Sequence, residues 1–115
     1  FRKRSQKERE SLFLDVTAGT VALFLPVLDN LERAAAQSPD DKGAQLICKQ
    51  FKDILDKLNV KPFGGRGDTF DPKLHNAVAH QDDESLGENT VCEVMLNGYQ
   101  MGDRVIRFAM VQVAN

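Results

Sequence analysis

The residue types that most often bind metals or carry redox chemistry are sparse in this sequence. Its two histidines, His75 and His80, are five positions apart, which does not suit two ligands on one helix face. Its two cysteines, Cys48 and Cys92, are far apart and form no C-x-x-C pair. We expect both cysteines to be reduced packing residues, as is usual in the cytosol. The spacing of these residues therefore predicts neither a metal site nor a redox site.

Two further segments look like ligand sites but lack the residues that such sites need. Residues 64–68 (GGRGD) are rich in glycine but lack the Lys and Ser/Thr of a phosphate-binding loop. Residues 82–84 (DDE) lack the spaced oxygen ligands of a calcium loop. We expect a turn at the first segment and a solvated loop at the second. The sequence predicts a protein with no catalytic residues and no cofactor.

Charge is distributed unevenly along the chain. Residues 1–60 hold ten basic and nine acidic side chains, and residues 61–115 hold five basic and eight acidic ones. A basic cluster near the N-terminus consists of Arg2, Lys3, Arg4, Lys7 and Arg9. Binding to nucleic acid would need more basic or aromatic residues elsewhere, but the second half is net acidic and the chain has one Tyr and no Trp. A nucleic-acid-associated dimer that uses this basic helix is therefore the alternative rather than the first hypothesis.

The composition predicts an ordinary soluble, cytoplasmic protein. The chain has 115 residues, of which 42% are hydrophobic and 28% charged. We expect no apolar run of the roughly 20 residues that a membrane helix needs, and no secretory signal. Membranes are therefore not among the expected partners.

The first half of the chain has the spacing of helices. Apolar residues recur every three or four positions from Leu12 to Ala35, with Pro26 inside the pattern, so a kink or restart is expected there. A second helix is predicted to begin with Ser38 as N-cap and to end at Asn59. Its apolar face needs a cover, and we expect that cover to come from a second copy of the chain. The residues predicted to form the dimer interface are Leu28, Leu31, Ala44, Ile47, Phe51, Leu55 and Leu58.

The second half has the pattern of strands and turns, and it holds six of the eight glycines. Residues 90–96 alternate in polarity and predict one strand, and residues 104–114 predict another. Both faces of the last strand are apolar, so it is expected to be central or packed on both sides. Residues 98–103 are predicted to form the turn between these two strands.

Three separated motifs resemble the GrpE family of nucleotide exchange factors for DnaK-type chaperones. They are residues 25–34 (LPVLDNLERA), residues 70–78 (FDPKLHNAV) and residues 98–114 (GYQMGDRVIRFAMVQVA). They stand in the family's order and the resemblance runs the whole length of the chain. It implies an α+β homodimer, in which a long helix and two short helices form a four-helix bundle and a small β domain follows. Residues 1–59 would be the helical dimerisation region, and residues 60–115 the β domain that contacts the chaperone.

The resemblance also implies a function and a set of contact residues. GrpE proteins bind the nucleotide-binding domain of the chaperone and open its cleft so that ADP leaves, without catalysing a reaction. The positions that match the chaperone-facing surface are Arg2, Lys3, Arg33, Phe70, Pro72, Met95, Arg104 and Val113. Phe70 and Val113 are also compatible with the core of the β domain. A purely structural dimerisation module is the third hypothesis, and nucleotide release from a chaperone distinguishes it from the first.

Overall fold

The computed structural model describes residues 2–115, apart from the side chains of Arg2 and Lys3. The predicted α+β class is confirmed, with two helices followed by six strands. The elements are α1 (Arg2–Gln37), α2 (Lys42–Lys57), β1 (Val60–Phe63), β2 (His75–Gln81), β3 (Thr90–Leu96), β4 (Gly98–Met101), β5 (Arg104–Arg107) and β6 (Ala109–Ala114). The chain divides into two compact units between Asp53 and Ile54, here called the helical unit and the β unit.

Helix α1 is continuous through Pro26, so the predicted restart at this residue is wrong. Leu25 and Leu28, on either side of the proline, are both fully buried. The same buried face continues before and after them with Val21 and Ala35. Proline removes only one backbone hydrogen bond, and burial of side chains on both sides offsets that loss. Of the kink or restart expected at Pro26, the restart therefore does not occur.

Helix α1 is also more apolar than the sequence analysis expected. Within Arg4–Gln37 an 18-residue window is long and apolar enough to cross a membrane, by length and composition alone. The expectation that no segment is long and apolar enough to cross a membrane is wrong. Residues such as Thr17, Gly19 and Thr20 interrupt the run of apolar side chains, but they add no charge and so leave the mean hydropathy high. Only 17% of that window is buried. Length and composition do not distinguish a membrane span from a helix whose apolar side chains are covered by protein.

Helix α2 begins three residues later than predicted, because its N-cap is Asp41 and not Ser38. The Asp41 side chain is the N-cap, because its Oδ1 accepts a hydrogen bond from the backbone N–H of Ala44 at 3.1 Å. Ser38 instead begins a turn, in which its carbonyl oxygen accepts from the Asp41 N–H at 2.9 Å. The predicted stop at Asn59 is confirmed, since this residue has the left-handed conformation, with φ of 61°.

Two side-chain contacts join α2 to α1 within the helical unit. The Gln45 side chain donates from Nε2 to the carbonyl oxygen of Ala35 at 2.9 Å. Lys52 Nζ lies 3.3 Å from Glu32 Oε1. Cys48, the free cysteine of this unit, is buried, as a packing residue should be.

The β unit contains two three-stranded sheets. The first has the order β1-β4-β5 with antiparallel neighbours, and the second has the order β2-β6-β3. Strand β6 pairs in parallel with β2 and antiparallel with β3, so the prediction that the end of the chain forms a central strand is confirmed. The buried cluster of this sheet consists of Val91, Ala109, Val111 and Val113.

The predicted connection between the last two strands is wrong. Residues 98–103 were expected to form a turn, but Gly98–Met101 is strand β4 and pairs with both β1 and β5. The predicted long strand over residues 104–114 is two strands in different sheets, which separate at the exposed Phe108. Gly98 explains the close packing at this point, because a Cβ atom there would lie 2.4 Å from the Phe63 ring. Only glycine allows β4 to approach β1 so closely.

Candidate docking surface of the β unit

The loop between the short bridge at Thr69 and strand β2 carries the F-D-P motif, and we call residues 69–74 the FDP loop. Its ends are fixed by backbone pairing. The Phe70 N–H donates to the carbonyl oxygen of Asn89 at 2.7 Å, and the Leu74 carbonyl oxygen accepts from the Ala109 N–H at 3.0 Å. Between them the Asp71 carboxylate accepts from the Lys73 N–H at 2.9 Å, so this side chain caps the turn that follows Phe70. The loop is thus attached to the second sheet at both ends.

The buried His75 lies beneath the FDP loop. Its Nδ1 accepts a hydrogen bond from the Asp71 backbone N–H at 3.0 Å, so the proton of the neutral ring is on Nε2. The ring stacks on Phe70, with centroids 5.9 Å apart, and meets the edge of Phe63 at 6.2 Å. His75 is therefore a structural hydrogen-bonding residue. The residues that the structure describes contain no cluster of three or more potential metal ligands.

An open depression of about 530 Å³ lies at this loop, with Phe63, Phe70, Pro72 and Leu74 among its apolar lining. The carboxylates of Asp68 and Asp71 contribute polar edges to the same depression. Asp68 is fixed in place, because its Oδ2 accepts from the Gly65 N–H at 2.8 Å in the glycine-rich turn. That turn agrees with the expectation for residues 64–68, and Gly67 adopts a φ of 96°. Apolar side chains with a polar rim suit the docking of another protein.

The predicted contact residues of the β unit do not share one environment. Pro72 and Met95 are exposed, whereas Phe70 is half-buried and packs against the core cluster of the second sheet. Arg104 begins β5 and is half-buried. Phe70 and Pro72 line the depression together, while Met95 and Arg104 lie on other strands.

Val113 requires a correction. It was placed among the chaperone-facing residues, but it is 2% exposed and belongs to the core cluster around Val91 and Val111. The physical reason is that β6 is paired on both edges and that Val113 lies on the face that packs with Val91 and Val111 in the buried cluster. Val113 stabilises the β unit and is not available to a partner.

The predicted contacts of the helical unit are only partly described. The side chains of Arg2 and Lys3 lie outside the described residues. Arg33 is exposed on α1, where its Nη1 donates to Asn30 Oδ1 at 3.4 Å. Of the basic N-terminal cluster, Arg4 pairs with Glu8 at 3.2 Å, so part of this charge is already compensated within the helix.

The predicted dimer residues divide into two groups by exposure. Leu28 and Leu55 are already buried within the single chain, whereas Ile47 and Leu58 are exposed. Leu31, Ala44 and Phe51 are intermediate. The helical unit exposes further large apolar side chains, namely Leu12, Phe13, Val16, Leu23, Phe24, Val27 and Leu46. This is far more exposed apolar surface than an isolated helix pair normally leaves in water.

Two structural contacts of the β unit were missed by the sequence analysis. Arg107 donates from Nε and Nη2 to the Asn97 carbonyl oxygen, at 3.0 and 2.7 Å. Its guanidinium also lies 5.3 Å from the centre of the Tyr99 ring. The rings of Phe63 and His75 are in contact although the two residues are twelve positions apart in the sequence, and no local pattern predicts such a contact. For the contact between Arg107 and Asn97, the sequence offers one indication, which is a basic residue at the end of an apolar strand.

Asp83, in the acidic segment 82–84, has a structural role. Hydrogen bonds from the hydroxyl and then the backbone N–H of Ser85 lower the pKa of the Asp83 carboxyl below 3.8, and the nearby Arg66 lowers it further. The Asp83 N–H donates to the side chain of Asn115 at 3.1 Å. This segment therefore holds Asn115, the residue that follows β6.

Comparison with known proteins gives a consistent family assignment. The sequence model of the family GrpE matches residues 1–115. The Protein GrpE of Clostridium acetobutylicum is 47% identical over 119 residues, which cover 100% of this chain and 59% of that protein. The Protein GrpE of Clostridium beijerinckii is 45% identical, with 100% of this chain and 57% of that protein covered. The Protein GrpE of Trichormus variabilis is 42% identical, with 99% of this chain and 49% of that protein covered.

The chain thus spans between half and three fifths of the length of these relatives. The match nevertheless includes both helices and all six strands described above. On this match over residues 1–115, the chain belongs to the GrpE family.

Proposed function

We propose that this chain is a non-enzymatic nucleotide exchange factor for a DnaK-type chaperone. The observation that carries the proposal is the family match over residues 1–115, which includes the FDP loop and the C-terminal strands. The factor binds the nucleotide-binding domain of the chaperone and favours the open state of its ADP cleft. Its place of action is the cytoplasm, where it supports protein folding and the response to stress.

The energetic requirement follows from linkage. The exchange factor has one affinity for the chaperone with an open cleft and another for the chaperone with a closed cleft. The ratio of these two affinities sets the largest factor by which it can weaken ADP binding. A thousandfold effect needs a preference of about 4 kcal/mol, which is within reach of a few well-placed contacts. No covalent step is needed, and the β unit supplies binding surface rather than acid–base groups.

The docking surface of the β unit consists of two exposed residues, Pro72 and Met95, and two half-buried ones, Phe70 and Arg104. Apolar side chains such as Met95 gain free energy when a partner removes them from water. The arginine orients the complex by pairing with a carboxylate of the chaperone. Arg2, Lys3 and Arg33 add basic contacts from the helical region. Residues 60–115 are the β domain that makes the main contact.

Residues 1–59 form the dimerisation region. The exposed apolar side chains of α1 and α2, among them Leu23, Phe24 and Ile47, support this assignment. A second copy of the same chain offers a matching apolar surface, which a symmetric interface requires. The dimer thus covers side chains that the single chain leaves in water.

Release of labelled ADP tests the proposed function. A DnaK-type chaperone is loaded with fluorescent ADP, mixed with an excess of unlabelled ADP, and followed by stopped flow with and without this protein. We expect a release rate that rises with the concentration of the protein and then saturates. An unchanged rate with the cognate chaperone would rule out the exchange function. Binding of duplex or single-stranded DNA at physiological salt would instead support the nucleic-acid alternative.

A further inference from the structure

The backbone of the FDP loop is held by an almost complete set of internal hydrogen bonds. The N–H groups of Leu74 and His75 both donate to the Asp71 carbonyl oxygen, at 2.9 and 2.8 Å. The Phe70 N–H is bound by Asn89 and the Lys73 N–H by the Asp71 side chain. Pro72 has no N–H group. Among residues 70–75 the remaining donor is the Asp71 N–H, which has a side-chain acceptor, the Nδ1 atom of His75.

The imidazole that accepts this hydrogen bond is itself fixed by the sheets. His75 is the first residue of β2, it pairs with Ala109 of the central strand, and it is 6% exposed. Phe63 of β1 meets its ring from one direction, and Phe70 stacks on it at an interplanar angle of 29°. The ring therefore contacts Phe70 directly and, through Asp71, also fixes the backbone that follows Phe70.

We propose that His75 is a positioning residue for chaperone docking, acting through the Nδ1 acceptor of its neutral ring. It holds the Asp71 N–H, and with it the orientation in which Phe70 and Pro72 are presented. This role rests on the proposed exchange function, but His75 itself needs no contact with the chaperone. The hydrogen bond has a second consequence: the ring must remain the Nε2–H tautomer, since a proton on Nδ1 would oppose the Asp71 N–H.

Two substitutions separate the acceptor from the ring. His75→Asn places an amide oxygen near the position of Nδ1 but removes the ring. His75→Phe keeps an aromatic ring between Phe63 and Phe70 but has no acceptor. If the acceptor positions the loop, His75→Phe weakens chaperone binding by about tenfold, as expected for one buried donor left unpaired, and His75→Asn stays within about threefold of wild type. Affinity is taken from the concentration dependence of ADP release, and the maximal rate is measured separately.

The loop itself is monitored without the chaperone. Hydrogen exchange of the Asp71 amide, followed by NMR, should be slow in wild type and in His75→Asn and faster in His75→Phe. The Val111 amide in the core strand serves as the internal control for global unfolding. Long-range proton–nitrogen spectra of the wild-type protein add a readout that needs no substitution, and they should show His75 protonated on Nε2 alone.

The outcomes are distinct. If wild type, His75→Asn and His75→Phe accelerate ADP release equally, this result would overturn the positioning role but leave the exchange function intact. An Nδ1–H tautomer in the wild-type protein would have the same meaning. A larger loss in His75→Asn than in His75→Phe would show that the ring, not the acceptor, is what matters, and would also overturn it. Release at the basal rate with every protein, wild type included, would instead overturn the exchange function on which the role rests.

Discussion

At the scale of single residues, Val113 and Met95 occupy opposite environments in the β unit, although both matched the chaperone-facing positions. Val113 is 2% exposed and Met95 is 49% exposed. Sequence alone does not distinguish them, because both are apolar residues within segments whose composition is typical of strands. The distinction depends on which strand is central, and that depends on pairing between distant segments.

Met95 offers a direct test of the docking surface. Met95→Ser should weaken chaperone binding by about 1–2 kcal/mol, because an apolar contact made on docking is lost. Val78→Ser is a matched control, since Val78 is a similarly exposed apolar residue, at 46%, on strand β2. We expect the control to bind like wild type in the ADP-release assay. Equal losses in both variants would show that Met95 has no specific part in docking.

Asp83 predicts a pH dependence of stability. Because its pKa is lower in the folded protein, the stability that it contributes is present above the unfolded value near 3.8 and is lost as pH falls through the folded value. Asp83→Asn removes this contribution. The difference in unfolding free energy between wild type and variant should be constant above about pH 5 and decrease below pH 4. Urea unfolding at a series of pH values measures it, and a difference that grows towards low pH would contradict the assignment.

At the scale of elements, the positions of β3 and of the end of α2 could be predicted, while the connections around them could not. Strand β3 covers the predicted residues 90–96, because its alternating pattern is local. The start of α2 was misplaced since both Ser38 and Asp41 are good N-caps, and only the turn between them decides which is used. The region 98–114 was misread because β4 and β5 pair with β1 in the first sheet while β6 lies in the second, and no local pattern reveals this division.

A substitution at Gly98 tests the packing of the first sheet, β1-β4-β5. Gly98→Ala would place a Cβ 2.4 Å from the Phe63 ring and 2.8 Å from the Ala109 nitrogen, so strands must separate to accept it. We expect a loss of about 3 kcal/mol in unfolding free energy. Gly87→Ala is the control, since its Cβ would be 3.7 Å from Thr90 Oγ1, an ordinary contact. Thermal and urea unfolding compare the two, and similar stability of both variants would argue against the close approach of β4 to β1.

At the scale of the whole molecule, the two units differ in how much of their apolar surface they bury. The β unit has a buried core cluster in its second sheet. Among its described residues, the helical unit exposes eight large apolar side chains, from Leu12 to Ile47. The candidate docking site could be predicted only as a set of matching positions, since the arrangement of Phe63, Phe70 and His75 depends on contacts between distant strands. The need for a second copy was predicted from the apolar stripe alone and stays a prediction.

Ile47 tests the dimer. It is 49% exposed on α2, and Ile47→Glu would place a charge in the proposed interface. We expect wild type to be a dimer at micromolar concentration and the variant to dissociate at least tenfold more readily, which corresponds to about 1.4 kcal/mol. Lys49→Glu, two positions along the helix and therefore on a different face, is the control. Sedimentation equilibrium measures both, and a monomeric wild type would refute the dimer.

The central position of β6 has a consequence for the order of events during synthesis. Strands β2 and β3 are both paired to β6, and neither is paired to the other. Because β6 is the last of the six strands to leave the ribosome, its two neighbours remain without their sheet partner until residues 109–114 have emerged. The helices, which rely on contacts close in sequence, can form earlier. A nascent chain arrested before β6 should therefore have folded helices and an unformed β2-β6-β3 sheet.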